Sequence, residues 1–225
     1  FMHISMVVFD IAGTTVDEGN VVYRTLHKSI EKFCPAISFE DVLLWGAGKE
    51  KLQAIKETLV GTNNNLSDEN IQIIFQDFLQ LLEKEYEHLM VIPTSNTERL
   101  FSELRKMGVL VVLNTGYNQV TAYSLIKKLN WQEGVHYDLL VTASDVKKNR
   151  PNPDMILYAM DKLNIQDADT VIKVGDSTID IEEGRNAGCK YNIGVTTGAH
   201  TKAQLKTVNP NFIFDNIYDL MLIIH

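Results

Sequence analysis

The sequence predicts an α/β protein, a doubly wound parallel sheet carrying an inserted all-helical segment. Three observations carry this expectation. Short apolar runs ending in small polar residues recur at 4–9 and beyond residue 109, as strands covered on both faces require. Stretches of helical spacing separate those runs, the alternation of βα units. Between them, residues 20–90 show helical spacing alone.

Taken in order, Ile4–Phe9 reads as a buried strand that stops at Asp10-Ile11-Ala12-Gly13-Thr14-Thr15. Apolar residues then recur at helical spacing as Val22, Leu26, Ile30 and Phe33, as Leu52, Ile55 and Leu59, and as Ile71, Ile74, Phe75, Phe78, Leu81 and Leu82. Asn63–Ser67 is a turn, and Ser67 with Asn70 is a partial capping signal, because the third residue on is neither Glu nor Gln. After Pro93, helices are expected near 97–107, 119–129, 154–163, 180–186 and 217–224. Strands are expected at Val109–Leu113, Leu139–Val141, Val171–Val174, Tyr191–Val195 and Phe212–Phe214. The core is therefore 1–16 with 94–225, and the insert is 17–93. In open parallel sheets the site lies beyond the carboxyl ends of the strands. The insert leaves from that edge, so it is placed to act as a lid.

Composition narrows the function classes. The chain has 225 residues, 45% hydrophobic and 22% charged, with 13 Gly and 5 Pro, which excludes collagen-like, disordered and disulfide-scaffold proteins. A net charge of −8 makes nucleic acid a poor partner. Cys34 and Cys189 fit no metal or redox spacing and are expected to be reduced, buried thiols. No apolar run approaches the ~18 residues of a membrane span. The N-terminus lacks signal-peptide features, so cytoplasm is the expected location. Phe1 is expected to be foreign to a native start at Met2.

The strand ends hold the chemistry. The first ends in Asp10, the second in Asn114-Thr115-Gly116, and the fourth in Gly175-Asp176-Ser177-Thr178-Ile179-Asp180; Arg150 follows the third. Carboxylates buried together repel one another, and a divalent cation that favours hard oxygen ligands, Mg²⁺, relieves this. Thr115 and the Gly116 amide offer donors to phosphoryl oxygens, and Arg150 offers a cationic fork. Asp10 is then free to act as an in-line nucleophile. His27, His88, His136 and His200 pair with nothing in sequence and are expected at the surface. Met155, Met160 and Met221 are expected to pack, and Arg185 and Asn186 to brace the acidic loop.

FDIAGTT, NTGY, Arg150 and VGDSTIDIEEGRNAG resemble the four ordered motifs of the haloacid dehalogenase (HAD) superfamily, with the insert where that superfamily puts a C1-type helical cap on its Rossmann-like core. More narrowly, Asp10-x-Ala12-Gly13-Thr14-Thr15-Val16-Asp17, Arg150 and Gly46-Ala47-Gly48-Lys49 resemble the phosphonatase-like branch, related to phosphonoacetaldehyde hydrolase. The resemblance implies Mg²⁺ held by Asp10, the Ala12 carbonyl and Asp176, with Asp180 in support. It implies a phosphoryl group on Thr115, Gly116 and Arg150. It also implies a Lys49 imine that serves as an electron sink for C–P cleavage.

Typical phosphatases of the superfamily carry a second Asp two residues after the nucleophile as general acid and base; Ala12 can do neither. Phosphonatases usually carry His where this chain has Leu52, and Met where it has Trp45. Trp45, Gly46, Leu52 and Tyr117 are expected to line the substrate pocket. The expected partner is a small phosphonate or phosphate, and relatives of this branch imply a homodimer through the cap. A phosphomonoesterase on a small metabolite and a non-catalytic phosphate-binding relative are the alternative readings.

Overall fold

The apolar runs pair into one parallel sheet in the computed structural model, which describes residues 3–224; Phe1 lies outside it. The elements in chain order are β1 (Met6–Asp10), β2 (Val16–Asp17), α1 (Val21–Glu31), α2 (Phe39–Gly46), α3 (Lys51–Gly61), α4 (Asp68–His88), β3 (Ile92–Pro93) and α5 (Thr97–Lys106). They continue with β4 (Leu110–Thr115), α6 (Gln119–Lys128), β5 (Leu139–Thr142), α7 (Asp154–Lys162), β6 (Val171–Gly175), α8 (Thr178–Ala187), β7 (Tyr191–Val195), α9 (Lys202–Lys206) and β8 (Phe212–Phe214). The sheet order is β5-β4-β1-β6-β7-β8, and every pairing is parallel.

β1 is central, and its alternating side chains explain why the run is apolar throughout. Met6 and Val8 face one cluster with Val112, Val141 and Met155, Ile156 and Ala159 of α7. Val7 and Phe9 face the other, with Val111, Leu113 and Leu100, Phe101 and Leu104 of α5. The chain order reverses direction across the sheet beside β1, which is where an open α/β sheet leaves a crevice.

Helices α1 to α4 lie between β2 and β3, with α1 packed on α4 and α2 on α3. Ser67 accepts from the Asn70 N–H at 3.2 Å, a one-sided cap, whereas Ser38 and Asp41 form a full capping box on α2. Phe33 lies beyond the end of α1 and is partly exposed, because the helix stops before it.

Four elements depart from the expectations. β2 and β3 form an antiparallel ribbon pairing Val16 with Pro93 and Asp17 with Ile92, at the margins of the helical segment. Two-residue strands are too short to show alternation. α9 starts at a Thr201–Gln204 capping box. The last helix is a 3-10 segment, Ile217–Leu222. Cys34 and Cys189 are free and buried. Among the described residues, no helix is long and apolar enough to cross a membrane.

Candidate active site

Asp10 is the last residue of β1 and pairs in register with Asn114, while Asp176 follows the last residue of β6. Both side chains therefore emerge at the same edge of the sheet. The chain turns sharply after Asp10, with the N–H groups of Thr14, Thr15 and Val16 converging on the Ile11 carbonyl. Gly13 sits at φ +84°, and a Cβ there would meet Asp176 Oδ2 at 2.5 Å. Only glycine lets the turn press against that carboxylate. Thr14 Oγ1 and the Ala199 N–H donate to Asp176 at 3.0 and 2.6 Å.

Asp10, Asp176 and Asp180 each bring an oxygen within 4.8 Å of the others. Burial pushes the Asp176 carboxyl up to about 8, and the charges of Asp10 and Asp180 add to it. Burial also raises Asp10. Asp180 behaves differently. Burial opposes its charge, yet Arg150 and Lys173 outweigh that and hold its carboxyl below the usual range. Arg150 pairs with Asp10, Asp180 and Glu183, and Lys173 with Asp180 and Glu183. With Asp176 the cluster holds four carboxylates against two cations and is short by two positive charges. A divalent cation with oxygen ligands matches both the deficit and the donor type. Asp10 and Asp176 could hold it, since Asp180 faces both Arg150 and Lys173.

Arg150 is fully enclosed, and its five N–H donors are all taken. Nε donates to Glu183, Nη1 to Asp10 Oδ1 at 2.7 Å and to the Gly48 carbonyl at 3.1 Å, and Nη2 to the carbonyl and side chain of Asn114. It organises Asp10 before any ligand arrives. An incoming phosphoryl oxygen takes one of its donors only by replacing a present partner.

The loop between α2 and α3 is seated on the strand ends. A Cβ on Gly116 would lie 2.6 Å from the Lys49 carbonyl, and one on Gly48 would lie 2.4 Å from Ser177 Oγ. Gly48 is at φ +74°, and its N–H donates to Tyr23 Oη. Glu50 caps α3 by accepting from the Leu52 and Gln53 N–H groups, which fixes Lys49 and Lys51 on either side of it. Lys49 Nζ pairs with Glu57.

Lys51 turns inward and is buried. Its Nζ donates to the Lys49 carbonyl at 2.5 Å and lies 4.9 Å from the ring centres of Tyr23 and Tyr117. Burial lowers its ammonium to about 8, against the opposing charges of Glu50 and Asp10. Tyr117 and Tyr86 both donate to Glu18, at 3.0 and 2.9 Å, and burial raises that carboxyl to about 7.

Of the candidate residues, Asp10, Asp176, Asp180, Thr115, Gly116 and Arg150 converge at the strand ends. Thr115 Oγ1 accepts from the Tyr117 N–H, which leaves its own O–H to donate. Ala12 is buried in the turn. Tyr117 reaches the interior with Lys51. Trp45 does not: its ring lies over Gly61, where a Cβ would be 2.3 Å away, and is partly exposed. Gly46 allows α2 to approach Ala54 of α3, and Leu52 packs against the apolar cluster. His200 is not at the surface. Its Nδ1 accepts from the Thr178 N–H, so Nε2 is the protonated nitrogen facing the Leu43 carbonyl, and burial lowers its pKa.

Sequence reasoning missed Lys51, Glu18, Lys173 and Glu183, and it named Asn114 at a strand end without giving it a role. Two of these carried a signal. Lys173 interrupts an apolar strand, and Glu183 lies three residues after Asp180, on the same helix face.

A family model described as haloacid dehalogenase-like hydrolase matches residues 7–195. The bifunctional phosphonoacetaldehyde hydrolase/aminoethylphosphonate transaminase of Clostridioides difficile is 29% identical over 208 residues, 87% of this chain; the chain spans 32% of that protein's length. The pyrophosphatase PpaX of Bacillus anthracis is 25% identical over 99% of this chain and 97% of its own. A solved phosphonoacetaldehyde hydrolase-like protein from Oleispira antarctica superposes with a TM-score of 0.83 at 21% identity, covering 98% of this chain and 91% of the other, a likeness of fold.

Proposed function

Because the chain belongs to the haloacid dehalogenase-like hydrolase family, we propose that it hydrolyses a small phosphonate or phosphate through an aspartyl-phosphate on Asp10. The observation that carries this reading is the state of Asp10. Its Oδ1 is held by Arg150, and its Oδ2 accepts no hydrogen bond among the described residues, which leaves that oxygen to meet phosphorus. Bound Mg²⁺, held by Asp10 and Asp176, would neutralise the charge that develops on the phosphoryl oxygens. Thr115 and the Gly116 amide donate to those oxygens. As the Asp10–phosphorus bond forms, the bond to the leaving group breaks and its electron pair departs with that group. Water then cleaves the acyl phosphate.

Position 12 decides the leaving group. Ala12 cannot protonate a departing alkoxide. This supports a substrate whose leaving carbon is stabilised another way: a phosphonate with a carbonyl β to phosphorus, whose imine with Lys49 would accept the electron pair. Lys49 must first leave Glu57. That pairing is the observation favouring the second reading, hydrolysis of a small phosphate ester or anhydride, which needs no imine.

The test is Mg²⁺-dependent phosphate release from phosphonoacetaldehyde and from small phosphate esters and anhydrides. Asp10→Asn and a chelator should each abolish release, by about a thousandfold or more for the variant. Release from phosphonoacetaldehyde that vanishes in Lys49→Arg supports carbon–phosphorus cleavage. Release confined to esters or anhydrides, within about tenfold of wild type in Lys49→Arg, supports the second reading.

A further inference from the structure

We infer that Lys51 receives the end of the substrate remote from phosphorus, and that this end is about three heavy atoms long and carries an oxygen acceptor. The inference rests on the reading that Asp10 takes the phosphoryl group.

Two lysines are buried near the site, and they differ in a way that separates structure from recognition. Lys173 is compensated: Asp180 at 2.8 Å, Glu183 at 3.5 Å and the Asn114 side chain at 2.8 Å surround its ammonium. Lys51 is also buried, yet no carboxylate of the described residues lies within 4.0 Å of its Nζ. One backbone carbonyl takes one of its three protons, and two tyrosine rings flank it. A buried ammonium with unused donors is costly unless something supplies the missing acceptor.

The place for that acceptor is beside it. A cavity of about 40 Å³ lies between Glu50, Lys51, Tyr117 and Thr121 on its polar side and Phe75 and Phe78 on its apolar side, with both Glu50 carboxylate oxygens already engaged by the Leu52 and Gln53 N–H groups. One water requires roughly 10–15 Å³, so this space takes about three non-hydrogen atoms. Apolar walls with a few convergent polar groups are the make-up of a small-ligand pocket. The Lys49 carbonyl that takes a Lys51 proton also presses on Gly116, and Tyr117, whose ring the ammonium faces, directly follows Thr115 and Gly116, so Lys51 sits beside the phosphoryl donors. Lys49, three residues after Gly46, carries the motif, but its side chain is engaged with Glu57.

The test compares two phosphonates that differ by one atom, 2-hydroxyethylphosphonate and propylphosphonate, with inorganic phosphate as the reference. Binding is measured calorimetrically in Mg²⁺ for wild type, Lys51→Met and Lys49→Met. Wild type should bind the hydroxyl compound at least about tenfold more tightly than its methyl isostere, since a site built around a donor rejects the analogue that lacks the acceptor. Lys51→Met should bring that ratio to near unity while binding inorganic phosphate within about threefold of wild type, and Lys49→Met should keep the ratio. No preference in wild type overturns the inference without any variant. So does a ratio that survives Lys51→Met, or one lost in Lys49→Met. If the methionine variant does not fold, Lys51→Leu, which also lacks a donor, serves in its place. Failure of wild type to bind inorganic phosphate in Mg²⁺ would overturn the phosphoryl site itself, and with it this inference. Phosphate binding without discrimination between the tails removes the Lys51 assignment alone.

Discussion

Glu18 shows how one side chain can carry a cost that its neighbours only partly offset. Burial raises its carboxyl from 4.5 to about 7, although the Tyr86 and Tyr117 hydroxyls favour the charged form. Between those values the folded protein binds a proton that the unfolded chain has released. The stabilisation is therefore fully present below pH 4.5 and is lost as pH rises to 7. From pH 5.5 to 8 the loss is about 2 kcal/mol on the scale of 1.36 kcal/mol per pH unit. Glu18→Gln should remove that dependence, so urea unfolding at the two pH values should show the wild type losing ground to the variant by about that amount; an equal difference at both would contradict it. Legibility also divides at this scale. Asp10, Asp176 and Asp180 stand in the sequence at the ends of apolar runs, where their convergence follows from the sheet. Lys51 was hidden because Lys49, Glu50 and Lys56 surround it, and a charge run at a helix start reads as a solvated face. Its burial depends on Tyr23 and Tyr117, which are remote in sequence.

Among the elements, the loop between α2 and α3 couples the helical segment to the sheet through backbone contacts. Gly48 and Gly116 allow that approach, and the Lys49 carbonyl occupies the space that a Cβ on Gly116 would need. Gly116→Ala should lift the loop without disturbing β4. Overpacking of this kind destabilises a fold by about 1–3 kcal/mol, so the unfolding midpoint should fall, and a loop held off the strand ends should lower kcat/KM about 10- to 100-fold as well. A fall in the midpoint with unchanged kcat/KM would show that the loop plays no part in turnover. The long strands and helices were legible because their periods repeat several times. β2 and β3 were not, since two residues cannot show a period, and α9 was not, since its cap lies far from any apolar repeat. The C-terminal 3-10 segment has helical spacing but tightens around Ile217 and Leu220, both buried.

On the scale of the whole molecule, the six-stranded sheet gathers negative charge at its centre in a chain that is already acidic. Four carboxylates against two cations make that edge a cation trap. Saturation with Mg²⁺ should therefore stabilise the fold by about 2.7 kcal/mol at one hundred times the dissociation constant. Asp176→Asn should reduce the effect, as followed by thermal melts with and without Mg²⁺; an equal rise in both proteins would place the ion elsewhere. The overall architecture could be read from the sequence because every strand of the sheet is covered on both faces or lies at its margin, so burial imposed the pattern. The saturation of Arg150 has a kinetic consequence. With no donor free, an arriving oxyanion enters by exchange, and the partner it replaces at Nη1 is the nucleophile, Asp180 or the Gly48 carbonyl of the overlying loop. If it replaces the loop, ligand entry and loop release are one event. Departure of the product phosphate then returns the guanidinium to the loop, so each turnover would end by restoring the contact that closes the site.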